Sequence, residues 1–173
     1  MKALAHIRTV TKHRHAVIRH CAKCGILWQG LLHDLSKFSP TEILPGFRYY
    51  QGNRSPNEEE RRVNGYSVAW IHHKGRNKHH FEYWTDYVPG KGLQPVKMPI
   101  KYLKEMFCDR VAATKVYRKD DYTPTAPLEY FQKGGARNAM HPETAELLEK
   151  FLVMLAEKGE KETFRYIKSI KEY

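Results

Sequence analysis

An all-α, single-domain helical bundle is what this chain predicts, on three observations. Apolar residues recur at steps of three and four along most of its length. No stretch alternates convincingly with a period of two, and no internal repeat divides the chain. At 173 residues there is room for one well-packed domain and not for two comfortable ones, so residues 1–173 are expected to form one domain of about six or seven helices.

Taken in order, residues 2–24 read as a helix, because Val10, His13, Val17, Cys21 and Cys24 share one face. Gly25 suits the helix end, and Ile26 to Lys37 reads as a second helix. Ser39-Pro40-Thr41-Glu42 then carries a helix start, with Ser39 as cap, Pro40 in the first turn and Glu42 at the capping-box position. That helix is expected to end near Gly52. Asn57 can cap the next one, whose acidic opening Glu58-Glu59-Glu60 favours a helix N-terminus, and which is expected to run on to His72-His73. Gly75 to Asn77 reads as a loop, His79 to Trp84 as one or two turns, and Val88 to Gly92 as loop. A strong helix is predicted from Pro99 to about Lys119. The Pro-, Gly- and Thr-rich stretch from Asp120 to Met140 reads as the longest irregular segment, of the kind that covers a site. His141-Pro142-Glu143-Thr144 opens a last helical region, which Gly159 should break in two.

Composition narrows the function classes. Hydrophobic content of 41% is ordinary for a soluble protein, and the apolar runs are far too short for a transmembrane helix. The N-terminus lacks the apolar core of a signal peptide, so a cytoplasmic protein with no membrane partner is expected. Cys21-Ala22-Lys23-Cys24 has CxxC spacing, but Cys108 stands alone elsewhere, and both motif cysteines fit an apolar helix face. Reduced, packed thiols are therefore expected in place of a zinc or redox site. A net charge of +11 and a pI near 9.6 favour anionic partners, with nucleic acid among them, although no basic tail or RNA-binding signature is present.

The chemistry concentrates around Gly30-Leu31-Leu32-His33-Asp34-Leu35-Ser36-Lys37. A histidine and a carboxylate buried side by side are costly unless a cation or a hydrogen-bond network compensates them. His13 points inward between Val10 and Val17, whereas His15 lies about 160 degrees from that stripe and faces water. His20 shares the stripe and is a weaker rival. Asp109 sits among Met106, Ala112, Ala113 and Val116, a poor place for an unpaired carboxylate. His72, His73, His79 and His80 put four imidazoles within nine residues, one pair before a loop and one after it. Each residue alone is compatible with a core hydrogen bond or a solvated surface. Jointly, several helices would offer ligands to one interior point, as helical metalloproteins do.

These residues, in the order His13, His33-Asp34, the His72 to His80 group and Asp109, resemble the HD-domain metal-dependent phosphohydrolase superfamily. The resemblance covers about residues 6–120. It is nearest to a small group within the superfamily with the runs His33 to Pro40 and Asn77 to Trp84. It implies an HD-type helical bundle and one or two divalent ions, among which manganese, iron, cobalt, zinc and magnesium are not distinguished. His13, His33, Asp34 and Asp109 would hold one ion, and His73 with His79 or His80 would hold a second, with His72 open as an alternative. Asp34 would bridge. The implied activity is hydrolysis of a small phosphate ester, with a nucleotide as leading substrate. Lys37, one turn beyond His33, Arg76, Lys78 and Arg110 would bind the anion, and Glu82 would act as a base. The alternatives are a di-iron oxygenase and a non-catalytic module that binds nucleic acid or protein on the same fold. Oligomeric state is not legible.

Overall fold

The computed structural model describes residues 2–173. Among these are nine α-helices, three short 3-10 turns and one two-stranded sheet. The architecture is mainly helical, with more and shorter helices than the six or seven expected.

Helix α1 (Lys2–Lys23) buries His6, Val10, His13, Ala16, Val17, His20 and Cys21, the stripe read from the sequence. It therefore carries His13 inward, and His15 is exposed. Gly25, at φ +77°, ends the helix and turns the chain back. Helix α2 (Leu27–Leu32) lies on α1 at Gly30, where an added Cβ would stand 2.7 Å from Cys21 Cβ and 3.2 Å from Ile18 Cα. Its Trp28 and Leu32 point outward, so α2 packs through its smallest residue.

The predicted helix from Ile26 to Lys37 is broken. Asp34 adopts φ +54°, ψ +26°, and a 3-10 turn (Leu35–Phe38) follows it. Asp tolerates this left-handed conformation better than most residues, which is why neither Gly nor Pro marks the break. Pro40 starts α3 (Pro40–Tyr49), but Ser39 makes no side-chain capping bond and Glu42 turns inward, so the capping box does not form. The long helix expected after Asn57 is two helices. In α4 (Pro56–Asn64), Ser55 and not Asn57 is the cap, and Gly65 at φ +80° closes the end. Ser67 then caps α5 (Val68–Arg76) by accepting from the Trp70 N–H, and α5 absorbs the expected loop at Gly75.

After a 3-10 turn at Phe81–Tyr83, β1 (Thr85–Val88) and β2 (Gly92–Pro95) form an antiparallel hairpin where loop was expected. Its four-residue strands are largely solvent-facing, so neither carries the alternation that marks a half-buried strand. Helix α6 (Ile100–Arg118) is the buried axis of the molecule. Residues 120–140 are not irregular throughout: they contain α7 (Ala126–Lys133), which has Pro127 in its first turn, and α8 (Ala136–Ala139). Helix α9 (Pro142–Ser169) bends at Gly159, at φ +74°, as expected.

The core gathers α1, α6, α7 and α9 around fully buried Val17, Leu103, Phe107, Phe131, Leu148 and Phe151, each contributing about 1.5–3 kcal/mol by burial. Cys21, Cys24 and Cys108 are free thiols inside it, with Cys24 and Cys108 sulfurs 3.6 Å apart. Lys104 spans the core edge and caps the end of α9 by donating to the Ile170 carbonyl at 2.7 Å. No helix among the described residues is long and apolar enough to cross a membrane. The core packs on one flank of α6, and the His-Asp residues converge on the other.

Candidate metal centre

Four segments bring the chemistry together. Helix α1 supplies His13, the break after α2 supplies His33 and Asp34, α5 with the turn after it supplies His73, His79 and His80, and α6 supplies Asp109. The left-handed Asp34 matters here. In a continuous helix, residues 33 and 34 would diverge by about 100 degrees. With the chain turned at Asp34, the His33 Nε2 comes within 3.1 Å of Asp34 Oδ2.

Asp34 lies at the middle, 2% exposed, and its two oxygens face different neighbours. Oδ2 lies 3.1 Å from His33 Nε2 and 3.9 Å from His13 Nε2, while Oδ1 lies 3.2 Å from His73 Nε2 and 3.6 Å from His79 Nε2. Asp109 Oδ1 stands 2.9 Å from His13 Nε2 and 3.6 Å from His33 Nε2. Two donor groups share Asp34, His13–His33–Asp34–Asp109 and Asp34–His73–His79–His80, and a third grouping, His33–His79–Glu105, lacks it; in each the donor atoms lie within 4.8 Å of one another. One ion with bonds of about 2.0–2.2 Å spans opposite donors by about 4.2 Å, so each group is close to the size one ion requires.

The unmet valences agree with that fit. Nε2 of His13, His33, His79 and His80, together with Asp34 Oδ1, are sealed from solvent, and although polar atoms stand close to several of them, none among the described residues meets hydrogen-bonding geometry. Buried polar atoms are rarely left so, and here five of them belong to the two donor groups. The rear nitrogens are satisfied. Nδ1 of His33 and of His79 lie 2.9 and 3.2 Å from Glu105 Oε1, and Nδ1 of His73 lies 2.7 Å from Glu42 Oε2. A ring that donates from Nδ1 keeps its Nε2 lone pair for a ligand bond, the arrangement that orients metal-binding histidines.

The electrostatics are strongly coupled. Burial would raise the Asp34 carboxyl, but His33, Lys37 and His73 hold it well below the usual range. Asp109 is likewise pushed up by burial and pulled well below its ordinary value by His13 and His33. Burial lowers His80 far below an ordinary imidazole, with His79 and His73 adding to the effect, so it stays neutral. Burial also lowers His33, yet Asp34, Asp109 and Glu105 together hold it well above the ordinary value.

The remaining predicted residues divide. Lys37 reaches the centre, its ammonium 2.5 Å from Asp34 Oδ2, although the helix expected to carry it is broken. His72 is not in either donor group: it turns to Glu42 Oε1 at 2.7 Å. His20 faces the Cys108 carbonyl, away from the centre. A cavity of about 770 Å³ opens beside the donor groups and is lined by His13, Lys37, His73, His80, Glu82, Asp109 and Arg110. Arg76 and Lys78 are exposed and do not line it; the Lys78 ammonium rests over the Tyr83 ring at 5.5 Å.

Four participants escaped the sequence reading. Glu105 lies four residues before Asp109, hence on the same helix face, a signal that could have revealed it. Glu42 resembled a capping residue, and nothing local to it points to His73. Arg61 lines the cavity with its guanidinium 5.4 Å over the Trp70 ring, which in turn packs on His80 at 4.7 Å.

A family model described as a family of unknown function (DUF5662) matches residues 2–154. No curated protein and no solved structure matches the chain.

Proposed function

The chain belongs to DUF5662, a family of unknown function, and from that starting point we propose that it is a metal-dependent phosphohydrolase of the HD type acting on a small phosphate ester. The observation that carries the reading is Asp34: one buried carboxylate presents an oxygen to each of two histidine-rich donor groups. That disposition suits a pair of divalent ions sharing a bridging carboxylate, beside a cavity large enough for a nucleotide-sized molecule.

Bound divalent metal supplies Lewis-acid polarisation of a phosphoryl group and a water acidified toward neutral pH. The protein's own groups do the rest. Lys37, anchored on Asp34 and facing the cavity, places an ammonium where phosphoryl charge develops. Arg110 lines the same wall with its guanidinium 5.5 Å over the Phe131 ring and its Nε without a hydrogen-bond partner among the described residues, which suits it to hold a phosphate oxygen. Glu82 faces the cavity with Oε2 unpartnered and is placed to accept a proton there. The net charge of +11 draws anionic substrates toward this wall. A nucleotide is the leading substrate class.

The test is a panel of nucleotides, cyclic nucleotides and phosphomonoesters, assayed for phosphate-ester cleavage with manganese, cobalt or ferrous iron. Metal-dependent cleavage abolished by Asp34→Ala supports the reading. Dioxygen uptake by the ferrous protein with no cleavage would assign a di-iron oxygenase instead. Metal-independent, steeply salt-dependent binding of DNA or RNA would assign a binding module.

A further inference from the structure

Two carboxylates hold the histidines from behind, and they serve different numbers of ligands. Glu42 places Oε2 at 2.7 Å from Nδ1 of His73 and Oε1 at 2.7 Å from Nδ1 of His72. It therefore reaches one histidine of the Asp34–His73–His79–His80 group and none of the other. Glu105 behaves differently. Its Oε1 accepts from His33 Nδ1 at 2.9 Å and lies 3.2 Å from His79 Nδ1, so it faces one histidine from each group.

The environment of Glu105 locks this arrangement. The side chain is nearly buried, and its second oxygen accepts a bond from Gln29 Nε2 at 3.0 Å, so three N–H donors converge on one carboxylate. Gln29 comes from α2, Glu105 from α6, and the two rings from the segments between them. The His33 and His79 rings pack at an interplanar angle of 38° with centroids 4.4 Å apart, so the tilt of each ring is limited by the other. The Nδ1 side of each ring faces the same Glu105 oxygen, which leaves Nε2 as the atom each ring directs at its own donor group. Both Nε2 atoms are sealed and make no hydrogen bond of good geometry among the described residues.

Resting on the two-metal reading above, we infer that Glu105 is a positioning residue common to both metal positions, whereas Glu42 positions a ligand of only one. Neither touches substrate. Partners of this kind behind a histidine ligand typically contribute 10–100-fold to metal affinity. One carboxylate oxygen shared between two positions gives that contribution twice.

The experiment is a titration of chelator-stripped protein with cobalt(II), followed by visible absorption and by metal content after gel filtration. Wild type takes up two ions per chain. Glu105→Gln keeps the shape of the side chain but removes its charge, and is expected to weaken both binding steps by about 10–100-fold. Glu42→Gln is expected to weaken one step and leave the other unchanged. Gln29→Leu, which touches neither donor group, is expected to weaken both steps by a smaller factor, and it carries the test if Glu105→Gln does not fold. Two-site binding in which Glu105→Gln, or Gln29→Leu in its place, alters one step or none overturns the inference. So does loss of a single ion in Glu105→Gln, which would make Glu105 a ligand through the Nδ1 side of His33 and His79. Failure of wild type to bind cobalt at all overturns the metal reading itself, a separately recognisable result.

Discussion

Gly30→Ala is the sharpest test of how the fold places the His-Asp pair. Helix α2 crosses α1 at Gly30, and the added methyl would sit 2.7 Å from Cys21 Cβ and 3.2 Å from the Ile18 backbone. Both neighbours belong to α1, so the contact is relieved only by moving α2 away. Overpacking of this kind costs about 1–3 kcal/mol, and the better helix propensity of Ala returns up to about 1 kcal/mol. A net loss of about 1–2 kcal/mol is expected, or a fall in Tm of about 3–6 °C for a chain of this size. Because His33 follows α2 directly, the displacement should also weaken metal binding. Gly75→Ala is the internal control: it too is helical, nothing lies within 4 Å of its added methyl, and it should stabilise by about 0.4–1 kcal/mol. Thermal and urea unfolding of the two variants decides the matter. Gly30→Ala as stable as wild type, or shifted in the same direction as Gly75→Ala, would refute the packing argument.

Three further outcomes follow from the geometry. His33→Ala should lose metal, while His15→Ala, exposed on the opposite face of α1, should retain it; metal loss in His15→Ala would mean that α1 is wrongly oriented. Lys37→Ala should lower turnover by about 10²–10³-fold with metal content unchanged, because its ammonium serves phosphoryl charge and not the ions; metal loss would reassign it to support of Asp34. His20 tests the core. Burial lowers its pKa to about 4, the Lys115 ammonium adds to the effect, the bond to the Cys108 carbonyl opposes it, and Glu160 and Lys23 act more weakly in opposite senses. The unfolded chain thus binds the proton more readily, so stability is full above about pH 6.5 and declines toward pH 4 by about 2–3 kcal/mol. His20→Asn, which can still donate to the Cys108 carbonyl, should flatten that slope relative to wild type in urea unfolding across this pH range. An unchanged slope would contradict the assignment.

Much of the centre was legible because helical periodicity constrains it. Val10 and Val17 fixed the direction of His13, and the small apolar neighbours of Asp109 marked its carboxylate as anomalous. What stayed hidden depends on long-range pairing or on backbone geometry without a compositional mark. Glu42 reaches His73 across 31 residues of sequence, and only the packing of α5 on α3, with α4 between them in sequence, makes them neighbours. The break at Asp34 occurs at a residue that is neither Gly nor Pro. Gly65 and Ser67, which divide α4 from α5, were readable as a stop and a cap, but the apolar residues around them suggested continuity. The Pro- and Gly-rich stretch after Asp120 looked irregular, although Pro127 stands in the first turn of α7, where its missing N–H costs nothing. Arg76 and Lys78 were drawn toward the site by nearness in sequence to His73 and His79, whereas the helix end and the turn point them to solvent.

The central claim is that Asp34 bridges two metal positions, and metal content tests it most directly. Wild type and Asp34→Ala would be stripped with chelator, reconstituted with manganese or cobalt, freed of loose ions by gel filtration and measured by elemental analysis. The account predicts two ions per chain in wild type and loss of both in Asp34→Ala, since the two donor groups assigned to the ions share that carboxylate. Wild-type protein that retains no ion, or an Asp34→Ala variant that keeps both, would contradict it.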